Sequence, residues 1–509
     1  MLQKYIISSF ILVLNSFLLV ASTDSLSIHY SSQIDSIHIK HFLKVLSSDS
    51  LLGRETGREG QVKAERFIVS EFKKNKIAEG NNGSYLQEFK LISTSLNACS
   101  FSYNEMVIDS QDQLLNYNLQ NDTDIYASGI VFAGYGLSTK EYDDYADLDV
   151  RDKVVFILSG NPSVNDELLL SSEENERWNR EYKIDFARKS GAKALVMVND
   201  NFDNYHKRLI NYFKHGSLNI YENKNTEMPM LIINKGSFYK LFSLSEADIS
   251  ALSQIKKDGE KFQAIEKKGN VKIGVKTNST ISVSSNIVAK IECGDSFAPW
   301  IVISAHYDHS GFDSLNVFNG ADDNASGTSA VMEMARVLSE AKLNGVEFKK
   351  NFLFLLVSGE EKGLLGSKYY VANPVVDLSR TMVDLNADMI GRMDDKHENS
   401  NYVYVIGADK ISKELHEINE EMNSKYTHLE LDYTFNKDSD PNKFYYRSDH
   451  YNFALNGIPI IFYFNGTHSD YHKVTDTEDK ILYEALTKRT ELIFHTAWYL
   501  AMMEGVLSY

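Results

Sequence analysis

Short apolar runs bounded by polar turns recur from Ser285 to the carboxyl terminus. NIVAKIEC, IVISAH, NFLFLLVSG, TMVDLNADMIG, NYVYVIG and IPIIFYFNG each have the length of a strand, and segments of helical period separate them. Near-continuous apolar strands alternating with helices predict an α/β fold: a mainly parallel central sheet with helices on both faces. Ligands in such folds bind beyond the carboxyl ends of the strands. The first runs of the sheet deliver histidine or acidic residues there: His306 ends IVISAH, Glu360 and Glu361 follow FLFLLVSG, and Asp388 lies in LNADMIG.

Two helices have readable ends. The one after Gly327 carries Val331, Met334, Ala335 and Leu338 on one stripe, and the small residues Ala325, Ser326 and Gly327 at its start allow close backbone approach. The last is expected to begin at TDTEDK, where Thr475 and Glu478 have capping-box spacing, and to turn Ile481, Ala485, Leu492 and Leu500 inward.

Upstream, Ile37 to Leu52 reads as a helix, LLGRETGREG as a turn-rich link, and QVKAERFIVSEFKKNKI as a helix with Ala64, Phe67, Ile68 and Phe72 on one face. Tyr85 to Asp109 alternates as strands do. Near Ala127 the pattern changes to strand-like GIVFAGYG and KVVFILSG, helix-like ARKSGAKALVMVND and strand-like MPMLIINK. The expected organisation is an inserted β-rich domain at 127–280 between an amino-terminal part at 23–126 and the main α/β body at 281–509.

A chain of 509 residues exceeds what one core usually supports, which agrees with more than one domain. With 43% hydrophobic and 24% charged residues the composition is that of a globular protein and argues against disorder. The net charge of −17 disfavours nucleic acid as a partner, because phosphate binding needs clustered Lys and Arg. Cys99 and Cys293 are too few for a zinc knuckle or a disulfide scaffold; pairing and two separate thiols both remain open. The amino terminus, with Lys4, an apolar run from Tyr5 to Val20 and small residues at Ala21 and Ser22, has the layout of a signal peptide over 1–22. Export to a periplasm or out of the cell is therefore expected, with no stable membrane insertion after cleavage. An uncleaved anchor would share this layout, although the run falls slightly short of a bilayer span.

Candidate metal ligands at the strand ends and loops are His306, Asp323, Glu361, Asp388 and His472. Imidazole and carboxylate together suit zinc, and coordination positions left to water would make the site catalytic. Taken singly, each residue reads more readily as an exposed loop group or a satisfied polar residue than as a ligand. The pair Glu360–Glu361 adds force, because adjacent carboxylates emerging from an apolar strand are costly unless a cation neutralises them. One glutamate can face the metal while its neighbour accepts a proton.

SAHYDH at 304–309, GADDNASG at 320–327, SGEEKGLLGS at 358–367, NADMIG at 386–391 and DYHKVTDT at 470–477 together resemble the co-catalytic di-zinc aminopeptidases, a family that includes bacterial leucyl aminopeptidases, glutamate carboxypeptidase-like peptidases and glutaminyl cyclase-like relatives. Weaker likeness covers LLGRETGREGQVKAERFI, and the insert resembles a protease-associated domain. The resemblance implies the di-zinc exopeptidase fold, peptide substrates and two Zn2+ ions: His306 and Asp388 on one, Glu361 and His472 on the other, Asp323 bridging. It implies a cis peptide after the bridging residue, between Asp323 and Asn324. It also makes Glu360 the general base, has Asp308 orient His306, makes Tyr471 a donor to the tetrahedral intermediate, and gives RSDHY at 447–451 a supporting or pocket role. The activity it implies is hydrolysis of the N-terminal peptide bond. A carboxypeptidase or dipeptidase would need a cationic pocket, for which Arg447 and Arg392 are the nearby residues. The same scaffold also leaves room for glutaminyl cyclisation and for a non-catalytic binding protein. Phe462, Tyr463 and Phe464 are candidates for an apolar specificity pocket.

Overall fold

The computed structural model describes residues 24–508, apart from 109–113, 117–121, 139–142, 161–162, 165–166, 169–178, 200, 205, 208–216, 222–227 and 250–263. The expected signal peptide at 1–22 lies outside the described residues. Among the described residues no helix is long and apolar enough to cross a membrane. The chain divides into two compact units, one of residues up to 91 together with 282 onward, the other of 92–281.

The first unit is built on strands β1 (Ile265–Ile291, from Ser282 on), β2 (Trp300–His306), β3 (Asn351–Val357), β4 (Thr381–Ala387), β5 (Tyr402–Ile406), β6 (Glu430–Asp432) and β7 (Ile460–Phe464). Their order across the sheet is β6-β5-β7-β4-β2-β3-β1. β2 runs parallel to both β3 and β4, β4 to β7 and β5 to β6, while β1 against β3 and β5 against β7 are antiparallel. Every residue of β2, β3 and β4 is buried, as strands covered on both faces must be. Ile301, Ile303 and Ala305 face a core shared with helices α1 (Ser36–Leu46), α2 (Glu59–Lys74), α3 (Gly327–Leu343) and α6 (Tyr483–Met502). Trp300 and Val302 face the opposite side, against Tyr370 of α4 (Leu365–Ala372). α5 (Lys413–Met422) completes the first face. The mainly parallel α/β body with helices on both faces is thus present.

Local chemistry sets the element ends. Asp35 caps α1 by accepting the amide of Ile37, and α1 stops at Leu46, short of the helix expected to Leu52. Residues 49–54 instead form a tight turn in which Leu52 (φ 49°), Gly53 (φ 64°) and Arg54 (φ 52°) are left-handed, so the helix cannot continue. The final helix also departs from expectation. Glu478–Lys480 is a single 3-10 turn, Ile481 is extended and α6 begins at Tyr483, so Thr475 and Glu478 do not cap it. Ile481, Ala485, Leu492 and Leu500 are buried all the same.

α3 buries Val331, Met334, Ala335 and Leu338, and also Met332, Glu333 and Val337, because α1, α2 and α6 all pack on it. Its first residue is glycine for a steric reason: a Cβ at Gly327 would lie 2.2 Å from the carbonyl oxygen of Ala387 and 2.4 Å from Asn324 Oδ1. Gly327→Ala is expected to destabilise the protein by about 3 kcal/mol, the upper end of the usual cost of overpacking, since the obstacle is backbone. Denaturant unfolding measures this, and an unchanged midpoint would refute the close-approach role.

The second unit orders the amino-terminal part of β1, Thr123–Phe132, Val154–Leu158, Ala194–Asn199, Met230–Asn234 and Leu114–Asn116. The pairings from Thr123–Phe132 through to Met230–Asn234 are parallel, and helices Arg180–Lys189 and Lys235–Phe242 accompany them. Two expectations shift. The unit begins at Ile92, because Cys99, Phe101, Ile108 and Leu114 pack in one core with Ile130, Phe156 and Val271. Within ARKSGAKALVMVND the helix ends at Lys189, Gly191 turns the chain at φ 90°, and Ala194–Asn199 is a central strand. Cys99 and Cys293 are both free thiols.

Candidate metal centre

Register brings the candidate residues to one end of the sheet. In the β2–β3 pair His306 stands opposite Val357, three residues before Glu360, and in the β2–β4 pair Ser304 stands opposite Asn386, two residues before Asp388. His306 and Asp388 therefore leave the sheet level with each other, with Glu360 and Glu361 beyond β3. The turn 321–326 adds Asp323, and its peptide bond to Asn324 is cis, where the resemblance implies one. Asn324 fixes this turn: its Nδ2 donates to the Ala387 carbonyl at 2.9 Å and its Oδ1 accepts from the amide of Gly327 at 2.9 Å.

Two clusters result, built of buried side chains apart from the exposed His472. His306 Nε2 lies 3.4 Å from Asp323 Oδ1 and 3.3 Å from Asp388 Oδ1. On the other side His472 Nε2 lies 3.0 Å from Asp323 Oδ2 and 3.2 Å from Glu361 Oε2, while His309 Nδ1 lies 2.8 Å from Glu361 Oε1 and 3.8 Å from Asp323 Oδ2. The ligand atoms of His306, Asp323 and Asp388 lie within 4.8 Å of one another, and so do those of His309, Asp323 and Glu361. All the residues singled out as ligands are thus brought together, and His309 joins them. His309 was not among the sequence candidates, although the doubled histidine of HYDH was the available signal.

Asp323 has a carboxylate oxygen in each cluster. That of Asp322 turns away, accepting the Gly391 amide at 2.6 Å and Asn465 Nδ2 at 3.1 Å, with His468 Nε2 at 3.1 Å. The amides of both aspartates donate to the carboxylate of Asp476. Ser448 Oγ donates to Asp388 Oδ2 at 2.6 Å, which gives the RSDHY segment its supporting contact.

Asp308 differs from its expected part. Its Oδ1 is 3.8 Å from His306 Nδ1, too far for a hydrogen bond, and that nitrogen instead faces the main-chain carbonyl of Asp308 at 3.2 Å. The Asp308 carboxylate accepts from Thr56 Oγ1 at 2.6 Å and from the amide of Glu360 at 3.3 Å. It therefore braces the backbone of Glu360.

The donor set fits zinc. Histidine and carboxylate ligands are the right chemistry, and the lone pairs are disposed for a cation. His309 Nδ1 and Glu361 Oε1 are close and buried, yet neither has a hydrogen-bond partner, so they are not aligned on each other. Asp308, Asp323, Glu360, Glu361 and Asp388 crowd around three imidazoles, a charge excess that cations offset. Burial alone would lower the His472 imidazole, but Asp323 and Glu361 beside it push it up to about 10. Burial pushes the Glu360 carboxyl well up, with His306 opposing and Glu361 adding to the rise.

A pocket opens beside the clusters, and the carboxylates of Asp323, Glu360 and Asp388 line it together with Met389, Phe444, Phe462, Phe464, Thr467 and Tyr471. Strand alternation separates the three aromatic residues of β7: Phe462 and Phe464 reach the pocket, whereas Tyr463 points to the opposite core and its hydroxyl donates to Asn419 Oδ1. Tyr471 stacks on His472 with ring centroids 3.9 Å apart. Burial, with the carboxylates of Asp323 and Glu361, pushes its phenol well up, so it remains a hydrogen-bond donor. Arg447 is the one cation among the described residues lining the pocket, and its guanidinium carbon lies 4.8 Å from the centroid of Phe444. Arg392 is engaged elsewhere, 2.9 Å from Asp470.

Residues 286–497 match the model of Peptidase family M28. Aminopeptidase YwaD of Bacillus subtilis (strain 168) is 35% identical over 174 residues, covering 34% of this chain and 33% of that protein. Aminopeptidase Y of Saccharomyces cerevisiae (strain ATCC 204508 / S288c) is 28% identical over 235 residues, 44% of this chain and 40% of its own length. The chain matches these curated relatives over about a third to two fifths of their length. The aminopeptidase from Aneurinibacillus sp. strain AM-1 shares the fold, with a TM-score of 0.52 at 19% identity, covering 95% of this chain and 97% of that one. The stretch that matches this family, residues 286–497, carries His306, His309, Asp323, Glu360, Glu361, Asp388 and His472.

Proposed function

We propose that the protein is an exported zinc-dependent aminopeptidase that hydrolyses the N-terminal bond of peptides. The observation that carries this reading is the position of Asp323, whose two oxygens face the two His/carboxylate clusters. His306, Asp323 and Asp388 would hold one zinc; Asp323, Glu361 and His472 would hold a second, with His309 beside it. Zinc bound there supplies Lewis acidity at a carbonyl oxygen and lowers the pKa of a water. Glu360 accepts the proton of the attacking water and delivers it to the leaving amine as the C–N bond breaks. Asp308 holds the backbone of that base in place, and Tyr471 donates to the oxyanion that develops on the carbonyl. The lining residues Met389, Phe444, Phe462 and Phe464 suit an apolar first side chain, and the lining carboxylates suit the free α-amine. Export rests on the pattern of residues 1–22, and a protease-associated identity for the second unit rests on its sequence likeness.

Arg447 favours one other reading on the same scaffold, a carboxypeptidase or dipeptidase, because it sets a cation in the pocket. One experiment separates the two: a peptide acetylated at its amino end and the same peptide amidated at its carboxyl end, each incubated with and without a chelator. The amidated peptide is expected to release its first amino acid, the acetylated one to stay intact, and chelation to abolish release until zinc is returned. Cleavage of the acetylated peptide alone would transfer the assignment to a carboxypeptidase. Ammonia from a glutaminyl peptide, with no amino acid released, would transfer it to a cyclase.

A further inference from the structure

We propose that Arg54 is a positioning residue for the metal centre, gathering the two loops that carry its ligands. The inference rests on the metal-centre reading above, but no ligand role is assigned to Arg54 itself. Its side chain is wholly buried and its donors go to main-chain carbonyls. Nε donates to Tyr307 at 2.8 Å, Nη1 to Asn319 at 2.7 Å and also to Leu46, and Nη2 to Gly320 at 3.0 Å. Tyr307 follows His306 and precedes Asp308 and His309; Asn319 and Gly320 lead into Asp323. One rigid fork therefore spans both loops from a turn more than 250 residues away in sequence.

A guanidinium is suited to this where other groups are not. Its donors point in fixed, divergent directions, whereas a lysine brings one nitrogen on a flexible stem. Burial of the cation is costly and pushes its pKa down to about 10, but Asp323, Asp308, Asp476 and Glu361 lie close enough to oppose that drop. None of those carboxylates is among its hydrogen-bond acceptors, so the positive charge acts without occupying the oxygens that face the clusters. The turn makes two further contacts of the same kind. The carbonyl of Arg54 accepts the amide of His309 at 3.2 Å, and Thr56 Oγ1 holds Asp308, which in turn braces Glu360.

The test compares wild type, Arg54→Lys and Arg54→Met after loading with cobalt(II), reading the visible absorption of the bound metal, the metal stoichiometry, the melting temperature of the chelated protein, and kcat and KM on an unblocked peptide. Arg54→Lys keeps the charge and loses the fork. It is expected to melt below the chelated wild type, because buried carbonyls lose their donors, yet to stay folded at the assay temperature with an altered cobalt spectrum and a kcat about 10–100-fold lower, the scale of lost outer contacts at metal sites, with KM within about twofold. Arg54→Met should lose more. Should Arg54→Met fail to fold, the lysine variant decides. A wild-type spectrum and kcat in Arg54→Lys would overturn the proposal. If wild type takes up cobalt but cleaves no peptide, the peptidase reading fails while the spectra still judge Arg54; if it takes up no cobalt, both fail.

Discussion

Glu360→Gln is expected to lower kcat on an unblocked peptide by about 10²–10⁴-fold while leaving the zinc content unchanged. Glutamine fills the same volume, so the pocket wall and the brace from Asp308 to the Glu360 amide persist. What disappears is the only function the substitution touches, the capacity to accept a proton. Glu360 lines the substrate side of the centre, whereas Glu361, one residue on, turns its oxygens toward His309 and His472. Steady-state kinetics beside elemental analysis of the same preparation reads both quantities. Turnover near that of wild type would remove Glu360 from the role of base, and loss of zinc would show that it acts as a ligand.

The α/β body was legible because IVISAH and NFLFLLVSG are almost wholly apolar along both faces, as strands of a buried, mainly parallel sheet are. Ligand-bearing ends followed from the same fact, since the residues after such strands must be polar for a reason. Element boundaries were less legible. Thr475 and Glu478 have the spacing of a capping box, but Lys480 binds the Thr475 carbonyl and Asp470 instead, and that local bonding wins over the cap. ALVMVN has no local signal to separate strand from helix; its neighbours in the sheet decide. The unit boundary at Ile92 was hidden for a related reason. Strand Leu86–Tyr103 runs through it without a turn, so no punctuation marks the passage from one core to the other.

Within the site the structure brings together every ligand candidate read from the sequence and adds one histidine that was missed. His309 repeats the histidine of a motif already counted. Asp308 was expected to reach His306, the residue nearest in sequence, whereas its actual partner, Thr56, is 252 residues away. Arg54 stands in LLGRETGREG, a segment that reads as a turn-rich link. No periodicity reveals that its guanidinium is buried against backbone carbonyls from distant loops. The shared lesson is that ligands can be read from strand ends, while the contacts that orient them come from pairings that only the folded chain specifies.

Asp323→Ala is the substitution that should empty the centre. Removal of His472 or Asp388 takes a donor from one cluster, but Asp323 contributes Oδ1 beside His306 and Oδ2 beside His472. Loss of its carboxylate should therefore weaken both positions, by more than the about 10–100-fold typical of losing an outer contact. Each hundredfold loss of affinity corresponds to about 2.8 kcal/mol of zinc-linked stabilisation at saturating metal, so the melting temperature of the zinc-loaded variant should fall toward that of its chelated form. The chelated protein itself should be affected far less. Asp323 and Glu361 repel each other in a buried space, and removing one of the two relieves that repulsion while it deprives His306 and His472 of a partner. Competition with a chromophoric chelator gives the two affinities directly. Two zinc ions held as tightly as in wild type would mean that Asp323 does not join the clusters, and the carboxylates of Glu361 and Asp388 would then have to account for two independent metal positions.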